Sequence, residues 1–215
     1  MTKQENLQRL FSPRSIVFIG GSNLALPIQN TRDIGFDGEI WVINPKCAEI
    51  ADIPCFASIA DLPGIPDAAF VSINAKLTVQ AVADLNKRGC GGVVCYAAGF
   101  AEVGDNGDEL QDSLVEAAGD MALVGPNCYG LLNFTNGVAL WPDRLSGERT
   151  DKGVAIISQS GNVALNLTMH GRSLSITHVI SVGNQAVLGA GDYIEPLLED
   201  DRVTAIGFYK GTDAL

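Results

Sequence analysis

Short apolar runs alternate with amphipathic stretches along most of the chain. Before residue 125 the apolar runs predict five strands, and two stretches between them have apolar residues at helical spacing. The predicted strands are 15–19, 39–43, 68–73, 92–96 and 122–124, and the predicted helices are 77–87 and 110–118. Strands that alternate with helices are typical of a parallel sheet covered on both faces. The pattern therefore predicts an α/β fold.

The pattern breaks at residues 141–152, where charged residues, Pro142 and Gly147 indicate a linker. It then resumes with predicted strands at 153–157, 176–182 and 203–209 and helices at 160–170 and 193–198. We therefore expect two domains, residues 1–143 and residues 153–215. Three strands without a closing helix leave apolar sheet surface uncovered. Each Å² of apolar surface left in water costs roughly 25 cal/mol of free energy. This predicts that the second domain is incomplete.

Composition narrows the class of protein. A chain of 215 residues that is 47% hydrophobic can bury a sizeable core. Its net charge of −11 argues against a nucleic-acid surface, which requires clustered Lys and Arg. Any anionic ligand must therefore be held locally, by backbone N–H groups and a few cations.

Targeting and metal signals are absent from the sequence. The apolar runs are far shorter than the ~20 residues of a membrane helix, and the polar start at residues 1–8 does not resemble a signal peptide. The five cysteines are odd in number and form no C-x-x-C motif, so neither a disulfide framework nor a metal site is predicted. These features predict a cytoplasmic protein with reduced thiols and no contact with membranes.

Candidate anion-binding residues follow the first two predicted strands. Gly20 and Gly21, with Ser22 and Asn23, form a turn in which the backbone can approach a phosphate closely. The same turn is also common as a purely structural feature. After the second strand, where a dinucleotide-binding fold normally places an acid for the ribose diol, the sequence has Lys46. A cation there favours a ribose phosphate, as in coenzyme A or NADP, over NAD, although Lys46 can also be an ordinary solvated lysine.

Two later turns also follow predicted strands. Residues 125–130 read Gly-Pro-Asn-Cys-Tyr-Gly, with Pro126 and Asn127 suited to hold a fixed shape. We interpret Cys128 as a buried small hydrophobe rather than a nucleophile. Residues 158–161 read Ser-Gln-Ser-Gly at a predicted helix start, where the helix dipole suits a phosphate. A helix-capping serine without a ligand is the alternative for this turn.

Six ordered segments together resemble the NDP-forming acyl-CoA synthetase superfamily, which includes succinyl-CoA synthetase alpha subunits and ADP-forming acetyl-CoA synthetases. The segments are Leu-Phe-Ser-Pro-Arg-Ser-Ile at 10–16, Val-Ile-Asn-Pro-Lys at 42–46, Gly-Phe-Ala-Glu at 99–102, Gly-Pro-Asn-Cys at 125–128, Ser-Gln-Ser-Gly at 158–161 and Ser-Val-Gly-Asn at 181–184. The resemblance implies a Rossmann-like CoA-binding domain with a parallel sheet, followed by a flavodoxin-like, partial ligase domain.

The resemblance also implies roles for individual residues. Coenzyme A would contact one group of turns, which hold its nucleotide and line its pantetheine arm. The phosphate of a phosphohistidine would be received by a second group, Ser158, Gln159, Ser160 and Gly161. The implied CoA residues are Gly20, Gly21, Ser22, Asn23, Lys46, Ile73, Asn74, Ala75, Gly99, Phe100, Asn127 and Cys128. No catalytic residue is assigned, because neither His170 nor His178 lies in the Gly-His-x-Gly type of loop that carries the phosphate in this family. We expect His170 near the end of a helix and His178 at the surface beside a strand.

The reaction implied by the resemblance joins an acid and CoA at the expense of ATP, giving acyl-CoA, ADP and phosphate through an acyl phosphate. ATP and magnesium would be bound by an ATP-grasp domain or a beta-type subunit, which makes an oligomer the expectation. The alternatives are a CoA-binding regulatory module without ligase chemistry, as in some protein acetyltransferases, and an NADP-linked protein.

Overall fold

A computed structural model describes residues 2–169 and 174–211 of the chain. The helices are α1 Lys3–Phe11, α2 Ala25–Asp33, α3 Ala75–Arg88, α4 Asp105–Ala118, α5 Gly161–Met169 and α6 Ala190–Leu198. The strands are β1 Ser15–Gly20, β2 Glu39–Ile43, β3 Glu49–Ile50, β4 Ile53–Phe56, β5 Ala68–Ser72, β6 Gly92–Cys95, β7 Ala122–Val124, β8 Gly130–Asn133, β9 Val138–Leu140, β10 Gly153–Ser158, β11 Ile176–Ser181 and β12 Val203–Tyr209. The predicted α/β class is confirmed.

The first sheet has the strand order β3-β4-β2-β1-β5-β6-β7. All pairs are parallel except β3 with β4. Residues of β1 alternate between two buried clusters: Ile16 and Phe18 pack with α1 and α2, whereas Val17 and Ile19 pack with α3 and α4. Helices therefore cover both faces, and the carboxyl ends of β1, β2, β5, β6 and β7 meet at one edge of the sheet.

The second sheet has the order β12-β10-β11-β8-β9. Its last three strands in sequence are parallel to one another, as predicted, but the hairpin of β8 and β9 pairs antiparallel with β11. The sequence pattern predicted three strands here and missed the hairpin. Because these hairpin strands precede the linker, the chain enters the second sheet before residues 141–152 and not after them.

Two residues differ from their predicted environments. Trp141 was placed in the linker, yet its side chain is fully buried and packs 5.4 Å from the ring of Tyr129. His178 was expected at the surface, but it is only 2% exposed because it lies on β11 against Phe11 of α1. Burial lowers the pKa of His178 to about 4, so its imidazole is neutral at neutral pH. His170 lies outside the described residues.

Helix α1 is fastened to the first sheet by a buried carboxylate. Asp67, which precedes β5, is 3% exposed. Its Oδ1 accepts a hydrogen bond from Arg9 Nε at 2.8 Å, and its Oδ2 accepts from the Arg14 backbone N–H at 3.0 Å and from Arg14 Nε at 3.1 Å. The cluster fixes where the chain leaves α1 and enters β1.

The described part of the chain contains no helix with the length and apolar character needed to cross a bilayer.

At the edge of the second sheet, β12 leaves the side chains of Phe208 and Tyr209 exposed, at 53% and 44% of their surface. Uncovered apolar surface at this sheet was predicted from the pattern of strands and helices.

Candidate functional site

The turn after β1 is closed by hydrogen bonds among polar side chains. A Cβ on Gly20 would lie 2.9 Å from the carbonyl oxygen of Ser72, so only glycine permits this close approach of β1 to β5. The Gly21 N–H donates to Asn23 Oδ1 at 3.2 Å, and Asn23 Nδ2 donates to Ser72 Oγ at 2.7 Å. Ser22 and Asn23 remain exposed next to the start of α2. These hydrogen bonds give the turn a defined shape.

The turn after β2 is built by Asn44. Its Oδ1 accepts hydrogen bonds from the backbone N–H groups of Lys46 and Cys47 at 2.8 and 3.1 Å. Its Nδ2 donates to the Gly20 carbonyl at 2.7 Å, which joins this turn to the first one. Asn44 thus fixes the backbone from which the exposed Lys46 side chain extends. The sequence reading did not assign a role to Asn44, although its position two residues before Lys46 is a signal for such a turn.

A cleft of about 460 Å³, which we call the Lys46 cleft, opens at these two turns. Four predicted CoA residues line it: Gly20, Gly21, Lys46 and Ile73. The side chains of Ile19, Ile43, Ile59 and Leu77 supply apolar walls. Among the described residues, no hydrogen bond or ion pair engages the Lys46 ammonium group. An apolar cleft with one available cation at its rim can hold a flat heterocycle together with an attached phosphate.

The next predicted residues continue along the same edge of the sheet. Asn74 caps α3, because its Oδ1 accepts from the Leu77 N–H at 3.0 Å. Gly99 adopts φ +103°, and a Cβ at that position would lie 3.6 Å from Ala75 Cβ. The turns at 73–75 and 99–100 are therefore adjacent, as the prediction of a common ligand requires. The Phe100 side chain is fully buried, so only its backbone is available to a ligand.

Glu102 connects the turns of the two sheets. Its Oε1 accepts from the backbone N–H groups of Gly99 and Phe100, and its Oε2 accepts from Asn184 Nδ2. Burial alone would raise the pKa of Glu102, but hydrogen bonds from Asn184 and from these backbone groups outweigh it and lower that pKa. Neither Glu102 nor Asn184 was assigned as a site residue, although both belong to segments that carry the family resemblance.

The turn at residues 125–130 is hydrogen-bonded to the segment that follows β11. The Asn184 N–H donates to the Pro126 carbonyl at 2.9 Å, and the Ala186 N–H donates to the Gly125 carbonyl at 3.0 Å. Asn127 is exposed, and its Nδ2 donates to Asn184 Oδ1 at 3.3 Å. Cys128 is 4% exposed and its burial raises the pKa of the thiol to about 12. Cys128 therefore matches the interpretation of a buried small residue.

The turn at residues 158–161 provides fewer free groups than its sequence suggested. Ser158 is fully buried, and its Oγ donates to the Ser160 carbonyl at 2.8 Å. The Ser160 Oγ accepts from the Val163 N–H at 3.4 Å and so caps α5. The Gln159 N–H donates to the Tyr209 carbonyl, while Gln159 Oε1 accepts from the Gly211 N–H. Among the described residues of this turn, Ser160 and Gly161 at the start of α5 and the side-chain NH₂ group of Gln159 remain open to a ligand.

These two turns face each other across a second cavity of about 420 Å³, which we call the Tyr96 cavity. Asn127 and Cys128 line one side, and Gln159, Ser160 and Gly161 line the other. Tyr96, Tyr129 and Asn162 complete it. Burial, with smaller contributions from Asp143 and Tyr96, raises the pKa of Tyr129, so its hydroxyl stays protonated at neutral pH. The predicted site residues thus form two groups, one at each cavity, joined by the turns at 73–75 and 99–100.

Comparison with known families matches both halves of the chain. Residues 26–133 match the family described as CoA binding domain. Residues 151–211 match the family described as succinyl-CoA ligase like flavodoxin domain. The two matches follow one another in the order that the six sequence segments predicted.

Individual relatives agree with these matches. The chain is 34% identical to the trans-feruloyl-CoA synthase FCS1 of an unknown prokaryotic organism, over 95% of this chain and 31% of that protein. It is 30% identical to the alpha subunit of ADP-forming acetate–CoA ligase I of Pyrococcus furiosus, over 95% of this chain and 46% of that subunit. The apo structure of the dinucleotide forming acetyl-coenzyme A synthetase 1 of Ca. Korarchaeum cryptofilum superposes with a TM-score of 0.86 at 30% identity, covering 97% of this chain and 46% of that one.

The chain therefore spans less than half the length of each of these relatives. Within that length the chain has both matched domains, the CoA-binding domain first and the flavodoxin-like domain second. The chain belongs to the NDP-forming acyl-CoA synthetase superfamily, in which a CoA-binding domain is followed by a succinyl-CoA ligase-like flavodoxin domain.

Proposed function

We propose that this chain binds coenzyme A as the CoA-binding portion of an ADP-forming acyl-CoA synthetase. The observation that carries the proposal is Lys46, a cation at the rim of an apolar cleft where NAD-binding proteins place a carboxylate. The adenine ring would lie against the apolar walls and the ribose 3′-phosphate would pair with the Lys46 ammonium group. The pantetheine arm would follow the 73–75 and 99–100 turns, which brings its thiol to the Tyr96 cavity.

The whole reaction needs groups that the described residues do not supply. We infer that ATP and magnesium are bound by an ATP-grasp domain or a beta-type subunit, and that the phosphate reaches the Tyr96 cavity from there. In this cavity the start of α5 at Ser160 and Gly161 would hold the phosphate through backbone N–H groups and the helix dipole. The chain's own contribution is then to bind CoA, align its thiol and receive the phosphate. We propose that it does so in the cytoplasm, in keeping with its five free cysteines.

Lys46 provides the first test. In the variant Lys46→Ala, the dissociation constant for CoA should rise about tenfold, because a lost charge-assisted phosphate contact of about 1.4 kcal/mol corresponds to that factor. Dephospho-CoA, which has no 3′-phosphate, should bind the wild type and the variant equally. Isothermal titration calorimetry with both ligands measures the two effects.

Lys152→Ala is the matched control, because Lys152 is exposed and precedes β10, at the opposite edge of the sheet from the ligand-binding turns. It should leave both affinities unchanged. Equal losses for CoA and dephospho-CoA in Lys46→Ala would show that Lys46 does not contact the 3′-phosphate. Heat with NADP and none with CoA would refute the proposal in favour of an NADP-linked protein.

A CoA-binding regulatory module remains the second candidate, since the same cleft would serve it equally well. The two candidates differ at the Tyr96 cavity. A ligase needs a phosphate there, whereas a regulatory module needs CoA alone. Binding of inorganic phosphate to the CoA-saturated chain, lost in Ser160→Pro but kept in wild type, would support the ligase.

A further inference from the structure

The Tyr96 cavity contains an aromatic pair to which neither the sequence nor the proposed function gives a role. The rings of Tyr96 and Tyr129 lie 6.4 Å apart at an interplanar angle of 84°. Both side chains line the cavity. Rings at right angles offer a planar ligand one face for stacking and one edge for a perpendicular contact, which are the two favourable geometries of aromatic pairs. A saturated acyl chain has no ring, so it makes neither the stacking contact nor the perpendicular ring contact.

Each ring of the pair packs against another aromatic side chain. The ring of Phe70 lies 6.2 Å from that of Tyr96, and the ring of Trp141 lies 5.4 Å from that of Tyr129. Phe70 and Trp141 are both fully buried. A Cβ on Gly161 would lie 2.4 Å from Tyr129 Cδ2, so the absence of a side chain at residue 161 leaves room for the Tyr129 ring. The aromatic surface is therefore preorganised, which reduces the entropy lost when a ligand binds.

The position of the pair indicates what it contacts. If the nucleotide occupies the Lys46 cleft, the thiol reaches the Tyr96 cavity, and an acyl group on that thiol must lie in the same cavity. The volume of about 420 Å³ has room for a six-membered ring beside the phosphate proposed at the start of α5. Asn127, Gln159 and Asn162 add amide groups that can bond polar ring substituents.

We propose that Tyr96 and Tyr129 form a specificity site for a planar aromatic acyl group, so that the acid activated is an aryl carboxylic acid. This inference rests on the proposed binding of CoA. It goes further by naming the substrate class and the two residues that select it. Tyr96 and Tyr129 stack on and border the acyl ring, while the nucleotide of CoA, which supplies most of the contacts of free CoA, is held at the Lys46 cleft.

The test compares three CoA thioesters by isothermal titration calorimetry on the full chain, two with rings of similar size and one with a small acyl group. Benzoyl-CoA has a planar ring, cyclohexanecarbonyl-CoA has a puckered saturated ring, and acetyl-CoA has no ring. We expect benzoyl-CoA to bind about tenfold more tightly than either of the others. In Tyr96→Leu and Tyr129→Leu this preference should fall below about twofold, with affinity for free CoA unchanged. Tyr96→Phe and Tyr129→Phe keep the rings and should keep the preference.

The outcomes separate the two proposals. Absence of binding by free CoA would refute the proposed function and this inference together. Binding of free CoA with equal affinity for the three thioesters would overturn only the aromatic site. Should Tyr129→Leu fail to fold, the exposed Tyr96, which is 38% exposed, decides the matter through Tyr96→Leu. A preference that survives in Tyr96→Leu would also overturn the assignment.

Discussion

Replacing Gly183 by alanine should destabilise the protein by about 3 kcal/mol or more and disrupt the turn at residues 125–130. Gly183 adopts φ +54°, a conformation in which residues with a Cβ are strained. An added Cβ would lie 2.2 Å from the Pro126 carbonyl oxygen and 2.6 Å from that of Asn127. Because both contacts are with backbone, one of the two turns must move. Chemical denaturation measures the loss of stability, and CoA titration measures the effect on the site.

Gly191→Ala is the matched control for this substitution. Gly191 lies in the first turn of α6, and an added Cβ there would meet nothing within 4 Å. Alanine is the better helix former, so this variant should be unchanged or slightly more stable. Wild-type stability in Gly183→Ala would show that the two turns are not packed as described.

Replacing Asp67 by asparagine should cost about 2–4 kcal/mol of unfolding free energy. The Asp67 carboxylate accepts three hydrogen bonds from the described residues, two at Oδ2 and one at Oδ1. An amide places its NH₂ group against one of these donors in either orientation and also removes the charge that pairs with Arg9. Urea denaturation of the variant and the wild type measures the loss.

Arg14→Ala is the control for Asp67, because the Arg14 side chain is 91% exposed and its backbone N–H still donates to the carboxylate. Its effect should be much smaller. If Asp67→Asn proves no more destabilising than Arg14→Ala, the buried carboxylate does not fasten α1 to the sheet.

The same carboxylate predicts a dependence on pH. Burial alone would raise the pKa of Asp67, but hydrogen bonds from Arg14 and Arg9 outweigh it, so the pKa lies below its usual value. A group whose pKa is lowered by folding contributes fully above its unfolded pKa of about 3.9 and loses that contribution as pH falls further. The difference in stability between wild type and Asp67→Asn should therefore be constant above about pH 5 and shrink below about pH 4.

Much of the first sheet was predictable because its buried strands form apolar runs between clear helical stretches. The β8–β9 hairpin was missed because Gly130 and the residues after it read as the end of one domain, whereas their partner β11 lies more than 40 residues later in the sequence. His178 was misplaced for the same reason: nothing local shows that Phe11 of α1 packs against it. Long-range pairing decides both.

The candidate site divides in a similar way. Lys46 and the glycine turns were identifiable because each follows a strand, and the parallel sheet brings strand ends to one edge. The sequence could not show that the Ser158 hydroxyl donates its hydrogen bond to the Ser160 carbonyl and is therefore not available to a ligand. Nor could it show that Tyr96 and Tyr129, 33 residues apart, would line one cavity. These facts depend on side-chain directions that tertiary packing sets.

The most direct test of the central claim is a crystal structure of the chain grown with CoA. We expect the 3′-phosphate within hydrogen-bonding distance of Lys46 Nζ, the adenine against Ile59 and Leu77, and the thiol in the Tyr96 cavity beside Asn127. Electron density for CoA elsewhere on the surface, or a Lys46 cleft left empty at saturating CoA, would contradict the account.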